Sequence, residues 1–307
     1  MLIEAYRAPN NTFHWLDVND PTITELEHLI QTYNLHPSSV RDCLMPKHLP
    51  KYELIENNVF ILLRSFDERS RNSGTVRGLT RKIAIFISEN YLITVHRSDQ
   101  PYIVKIRDTW VKNQKNLEAS PLPRILFKII EGLFSTYSEA TYHCETSLEK
   151  FENTIFKDQS TQKSIQQKFL LKRKTSVIKH MLKMSLDLLP KLKVYFHLDV
   201  SLFKEMQELG ESQYFSAEEV LENINNLINL QLSLASHQTS EVVRILTLVS
   251  VFFMPLSFIA AFYGMNFKNM PELSAQYGYP IVIGLMFLIG CILFLWFKKR
   301  KWIKSNN

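Results

Sequence analysis

Two stretches without a charged side chain, Ile245 to Phe262 and Pro280 to Phe297, constrain this chain more than any other feature. Each is 18 residues long. At ~1.5 Å of helical rise per residue each reaches about 27 Å, close to the ~30 Å hydrocarbon core of a bilayer. Helices of this length and composition are expected to cross the membrane rather than fill a soluble core. Basic residues set the expected direction. Lys298, Lys299, Arg300, Lys301 and Lys304 follow the second stretch, whereas the connecting segment carries only Lys268. The C-terminus should therefore be cytosolic and the loop external, and two crossings return the N-terminal part to the cytosol. Met1 to Arg7 shows no basic segment leading into an apolar run, so no secretory signal is expected.

One face of the first stretch has a distinct pattern. Ser240, Val243, Thr247, Ser250, Met254, Ser257 and Ala261 recur at alternating steps of 3 and 4, which makes one side of the helix small or hydroxylated. Leu248, Phe252, Phe253, Leu256 and Ile259 are bulky and suit lipid or the second span. The small stripe fits two roles, close helix packing and the lining of a water-filled pore.

Upstream, Val59 to Leu63 and Ile83 to Ile87 are apolar runs of strand length, and Tyr91 to Val95 follows after a Glu89-Asn90 turn. Asp20-Pro21 marks a helix start, with Leu26, Leu29, Ile30 and Tyr33 as its buried face. Residues 1–122 therefore read as a cytosolic α/β domain. From Pro123 the apolar positions Ile130, Leu133, Phe134, Tyr137, Cys144, Leu148 and Phe151 keep helical steps, so residues 123–244 read as long helices and a stalk. The stalk runs from Ser216 to Pro255 without Pro or Gly between them, and Val220, Ile224, Leu227 and Leu234 have heptad-like spacing suited to neighbouring subunits. A first span at 245–262, an external loop at 263–279, a second span at 280–297 and a basic cytosolic tail at 298–307 complete an α+β membrane protein.

The net charge of +6 does not point to nucleic acid, because part of the excess sits in the tail beside the membrane. Lys163 to Lys193 carries nine basic residues against one acid, Asp187. It reads as a solvated helix face that lacks interleaved aromatics. Cys43, Cys144 and Cys291 lie too far apart for a disulfide framework or a zinc pattern. The histidines are dispersed and no glycine loop for phosphate is present, so neither an enzyme nor a bound nucleotide is expected. A membrane-tethered sensor with two anchoring spans is the alternative from a different class.

Met254-Pro255-Leu256, Tyr263-Gly264-Met265-Asn266-Phe267, Met270-Pro271-Glu272-Leu273, Tyr277-Gly278-Tyr279-Pro280 and Lys298-Lys299-Arg300-Lys301-Trp302 together resemble the CorA family of magnesium channels. The motif Gly-Met-Asn directly after the first of two terminal spans is the most specific part of that likeness. The earlier chain resembles the family more loosely, through His36-Pro37 and Pro50-Lys51-Tyr52 and its order of α/β domain and long helices. The resemblance implies a funnel-shaped homopentamer in the cell membrane, with the first span lining the pore and the second facing lipid. By residue match, Gly264, Met265 and Asn266 would form the outer selectivity ring, and Ser240, Val243, Thr247, Ser250, Met254 and Ser257 fall on pore-lining positions. Mg2+ would be the cargo, with Co2+ or Ni2+ as further passengers. A zinc-transporting relative is the nearest rival, and that branch departs from the Gly-Met-Asn found here.

The chemistry agrees with the resemblance. Mg2+ gives up its inner water reluctantly, so a pore that carries the hydrate meets a smaller barrier. Five Asn266 carbonyls could accept hydrogen bonds from that water shell, and Val243 and Met254 could act as hydrophobic constrictions. A membrane potential contributes about 2.3 kcal/mol per charge per 100 mV, roughly 4.6 for a divalent ion, so no nucleotide is required. The family is held closed by cytosolic Mg2+ bound between subunits. Phe203-Lys204-Glu205 resembles the segment carrying one such carboxylate, which makes Glu205 a candidate ligand with Asp67 or Glu68 as its partner. Two positions depart from the family. Lys268 stands where an acid is frequent, leaving Glu272 as the loop's only carboxylate, and a lysine ~10 Å from a divalent ion costs about 0.8 kcal/mol in water. Ser240 stands where an inner asparagine can occur.

Overall fold

The computed structural model describes residues 2–8, 12–56, 58–67, 74–113, 121–156, 162–196, 199–265 and 276–300. Residues Met1–Asn229 form one compact unit and Leu230–Asn307 a second.

The first unit is built on six strands: β1 (Leu2–Arg7), β2 (His14–Asn19), β3 (Lys51–Ile55), β4 (Asn58–Phe66), β5 (Thr80–Ile87) and β6 (Tyr91–His96). They lie in the order β1-β2-β6-β5-β4-β3. Only the β2–β6 pair is parallel, with Trp15 opposite Leu92 and Asp17 opposite Thr94. The alternation of side chains along a strand divides the apolar residues between two cores. Phe60, Leu62, Ala84, Phe86 and Ile93 face α1 (Ile23–Tyr33) and α2 (Pro37–Leu44). Val59, Ile61, Leu63, Ile83 and Ile85 share a core with the helices that follow β6.

The first helix starts two residues later than the Asp20-Pro21 signal suggests. Thr22 is the cap: its hydroxyl accepts from the Glu25 amide at 3.2 Å, and the Glu25 carboxylate accepts from the Thr22 amide at 2.8 Å. This reciprocal pair satisfies two otherwise orphaned donors, which a single aspartate would not. Asp20 instead takes a left-handed turn with φ of 46°. Leu26 and Leu29 are buried as expected.

After β6, α3 (Val76–Leu79) having already joined β4 to β5, the chain forms α4 (Pro101–Lys105), a π-helical turn over Ile106–Trp110 and α5 (Val111–Asn113). That turn brings Arg107 to the fully buried Asp17, which it reaches at 3.0 Å. Asp17 also accepts from the Thr94 hydroxyl at 2.8 Å and meets His96 Nε2 at 3.1 Å. A buried carboxylate is tolerable only when it is so completely partnered.

The helices α6 (Pro121–Phe156), α7 (Gln162–Leu186) and α8 (Leu189–Phe196) pack on the sheet's second face together with the start of α9 (Val200–Tyr263). Helix α9 begins well before Ser216 and contains Gly210. A Cβ there would lie 2.6 Å from Leu186 Cδ2 and 2.8 Å from Phe134 Cζ, so glycine allows three helices to approach closely. Val220, Ile224 and Leu227 are buried within this unit, whereas Leu234 is exposed. The basic run of α7 and α8 is less solvated than its composition suggests. Lys168 is 2% exposed and lies over Phe151, Lys174 lies over Phe66, Lys191 over Tyr52 and Lys193 over Phe203. The long lysine stems cover apolar surface, and the aromatic rings come from other elements, out of sight of local sequence.

The second unit holds the remainder of α9 and helix α10 (Gly278–Lys299). At ~1.5 Å per residue α10 is about 33 Å long, enough to span the bilayer. Many apolar side chains of both helices are exposed, Phe258 by 70% and Phe287 by 74%, unlike those of two buried helices in a soluble core.

Candidate ion pathway on the first span

Within the hairpin, α9 turns one side to α10. Arg244, Leu248, Phe252, Pro255, Leu256, Ile259 and Tyr263 are all half-buried. The Phe252 ring lies over Gly290, where a Cβ would sit 3.6 Å from Phe252 Cζ. Of the bulky residues assigned to lipid or the second span, Leu248, Phe252, Leu256 and Ile259 therefore serve the span, while Phe253 is exposed. The groove between the helices is lined by apolar groups, including Phe252, Leu256, Met286 and Phe294. It offers a hydrated ion no ligand.

The small stripe lies on another side. Ser240, Val243, Thr247, Ser250, Met254 and Ser257 are all exposed, and at ~100° per residue their mean direction is roughly 150° from that of the side facing α10. None of the six is used for packing inside the hairpin. Three hydroxyl hydrogens are committed along the helix: Ser240 donates to the Ser236 carbonyl at 2.9 Å, Thr247 to Val243 at 2.8 Å and Ser250 to Leu246 at 2.9 Å. A hydroxyl that has given its one donor to the preceding turn keeps two lone pairs. The stripe consequently presents acceptors, which is the polarity that water molecules around a cation require.

The ends of the hairpin carry the groups expected at a membrane surface. Tyr277 and Tyr279 are exposed at the start of α10, Trp296 at its end, and the Arg300 guanidinium lies over Trp296. Tyr279 and Trp296 are separated by about 26 Å of helix at ~1.5 Å per residue, near the thickness of the hydrocarbon core. Arg244, just before the uncharged stretch, pairs with Glu241 at 2.5 Å. Pro255 is accommodated inside α9 without interrupting it.

Gly264 and Met265 follow α9 directly. The Gly264 amide still donates to the Ala260 carbonyl at 3.0 Å, and that of Met265 reaches Phe262 at 3.4 Å. Gly264 does not use a left-handed backbone. A Cβ there would meet the Ala260 carbonyl oxygen at 3.2 Å, so closeness to the last turn, rather than positive φ, disfavours a side chain. Asn266, Lys268 and Glu272 lie outside the described residues.

The candidate regulatory carboxylates are placed differently from one another. Glu205 is exposed on α9. Asp67, at the end of β4, has its side chain 10% exposed and pairs with Arg81 at 2.5 Å. Glu68 lies outside the described residues. Among the described residues of one chain, no group of three acidic, histidine or cysteine side chains could hold a metal ion.

Comparison with known proteins gives this arrangement a context. The model of the family described as CorA-like Mg2+ transporter protein matches residues 10–299. The cobalt/magnesium transport protein CorA of Thermotoga maritima is 24% identical, over 96% of this chain and 84% of its own length. A putative metal ion transporter of Bacillus subtilis, YfjQ, is 27% identical over 98% of this chain and 93% of its own. The solved structure of the CorA magnesium transporter from Methanocaldococcus jannaschii superposes with a TM-score of 0.72 at 20% identity, covering 98% of this chain and 95% of that one.

Proposed function

The chain belongs to the CorA-like Mg2+ transporter family, and from that premise we propose that this divalent metal ion transporter is a Mg2+ channel formed by five copies, with the stripe on α9 as its wall. As a family member it is a membrane transporter and not an enzyme. The observation that carries the proposal is the row of Ser240, Thr247, Ser250 and Ser257, which is exposed and unused by α10. Five such rows around an axis form rings of acceptor oxygens. Each ring accepts hydrogen bonds from the waters of the hydrated ion, so the ion moves without losing its inner shell. Val243 and Met254 interrupt the oxygens with apolar rings that dewet when the pore narrows.

Gly264, Met265 and Asn266 form the outer ring, Asn266 supplying a side-chain carbonyl and the other two backbone carbonyls. The positive charge of Lys298, Lys299 and Arg300 favours a cytosolic C-terminus, an outward loop and a cytosolic N-terminus. Cation movement inward then follows the potential. The Thermotoga relative is named for both cobalt and magnesium, and Co2+, hexahydrated with a similar geometry, is the natural second cargo here. The intact Gly264-Met265-Asn266 favours Mg2+ over the zinc-transporting alternative.

Closure by cytosolic Mg2+ would use carboxylates from neighbouring copies, Glu205 on one and Asp67 or Glu68 on the next. One chain supplies no complete ligand set among its described residues, and Asp67 would have to leave Arg81. Glu205→Ala should then weaken the dependence of closure on cytosolic Mg2+, and unchanged dependence would remove Glu205 from this role. The pore itself is tested by flux of Mg2+ into dye-loaded liposomes carrying wild type or Asn266→Ala. Equal flux from the two would sink the assignment.

A further inference from the structure

A cavity of about 280 Å³ in the first unit lies between the end of α2, the start of β5 and the end of β6. Its lining includes Arg64, Arg77, Arg81, Lys82 and Arg97 and no aspartate or glutamate. Two of these charges are taken up mainly by neutral acceptors. Arg64 is 3% exposed. Its guanidinium donates to the Thr80 hydroxyl at 2.6 Å and to the carbonyls of His48 at 2.9 Å, Pro46 at 3.3 Å and Thr80 at 3.4 Å. The Lys82 ammonium donates to the carbonyls of Asp42 and Met45, both at 2.5 Å. Arg97 reaches the Leu44 carbonyl at 3.5 Å. Among the described residues, Arg81 alone of the five forms an ion pair, with Asp67.

Hydrogen bonds to carbonyls orient a cation without cancelling its charge, and burying Arg64 beside other cations is costly unless an anion joins them. Burial chiefly pushes the Lys82 ammonium down to about 8; Arg64 and Arg97 add to the effect, and Cys43 and Asp42 oppose it. Guanidinium forks around a small cavity match the geometry of a phosphoryl group, whose oxygens accept paired N–H donors. We propose that this cavity binds a phosphate-bearing anion, held by Arg64, Arg77, Arg81, Lys82 and Arg97.

The test uses purified full-length protein in detergent, in Mg2+-free buffer at constant ionic strength. Isothermal titration is run with orthophosphate, pyrophosphate and a nucleoside monophosphate, with chloride as the reference anion. Saturable binding of at least one phosphate is expected. Preference for pyrophosphate identifies an inorganic ligand and preference for the nucleotide an organic phosphate. Arg77 and Arg97 are exposed, so Arg77→Gln and Arg97→Gln should fold normally, checked by circular dichroism. Each should weaken binding about tenfold, the effect of one lost charge-assisted contact. Lys204→Gln, on the exposed surface of α9, should leave the affinity unchanged. Absence of saturable binding, or equal affinity in wild type and both arginine variants, would overturn the proposal.

Discussion

Replacing Thr247 by valine preserves the shape of the side chain and removes its oxygen. In the wild type that oxygen has given its hydrogen to the Val243 carbonyl at 2.8 Å, so what the substitution deletes from the stripe is an acceptor. The proposed channel of five copies would lose five. Each net hydrogen bond is worth ~0.5–1.5 kcal/mol. A hydrated ion that engages two oxygens of the ring at a time loses about 1–3 kcal/mol. At ~1.36 kcal/mol per decade this is a fall in conduction of about five- to 150-fold. Liposomes loaded with a Mg2+-sensitive dye, under an inside-negative potential, measure the rate, and chromatography verifies the oligomer. Val249→Leu, on the exposed side of α9 away from both the stripe and α10, controls for disturbance of the helix and should conduct normally. An intact Thr247→Val oligomer that conducts like wild type would remove the stripe from the ion path.

Cysteines introduced one at a time on a background lacking Cys43, Cys144 and Cys291 should react with a membrane-impermeant thiosulfonate at 243, 247, 250 and 254 and not at 248, 252 or 259; the reverse pattern would contradict the assignment. Gly210→Ala should lower the melting temperature, since its Cβ meets Leu186 and the fully buried Phe134 at under 3 Å. The overpacking costs ~1–3 kcal/mol, and an unchanged melting curve would show that the helices yield. Lys82 predicts a pH effect. Its ammonium is pushed down to about 8 chiefly by burial, then by Arg64 and Arg97, with Asp42 and Cys43 acting in the opposite direction. The folded protein releases this proton more readily than the unfolded chain, so the contribution to stability is full above about pH 10.5 and lost as pH falls through about 8. Lys82→Met should flatten the melting temperature between about pH 8 and 10.5, and an unaltered slope would assign the effect elsewhere. Burial pushes the Cys43 thiol up to about 12, so a maleimide should leave it unmodified in the native protein and react after denaturation.

The membrane hairpin was legible in the sequence because its signals are local. An 18-residue gap in charge and a 3-4 alternation need no knowledge of distant residues. The strands at Val59, Ile83 and Tyr91 were legible for the same reason. What escaped depends on contacts remote in sequence. The parallel pairing of β2 with β6 places Asp17 beside Thr94 and His96, and no local pattern joins these positions. Gly210 lies inside a helical stretch and looks like a break, yet it marks a close approach of helices. The basic run of α7 meets rings carried by β4 and α6. Arg64, the adjacent Arg81 and Lys82, and Arg97 lie near the ends of three different strands and gather only when the sheet forms.

Helix pairs in lipid usually meet through small residues, because close backbone approach gives the best van der Waals contact where no hydrophobic force acts. This hairpin economises on them. It supplies Gly290 and Cys291 from α10 and fills the joint with Phe252, Leu256 and other bulky groups of α9. Meanwhile α9 carries four hydroxylated residues and Ala261 on a side that is exposed among the described residues. Lipid would not select hydroxyls there, since each gains only a weak bond to its own helix. Tight packing against another copy would favour Gly and Ala over Thr247 and Met254. A wall facing water explains both the polarity and the mixture of sizes, and it requires that further copies enclose the water.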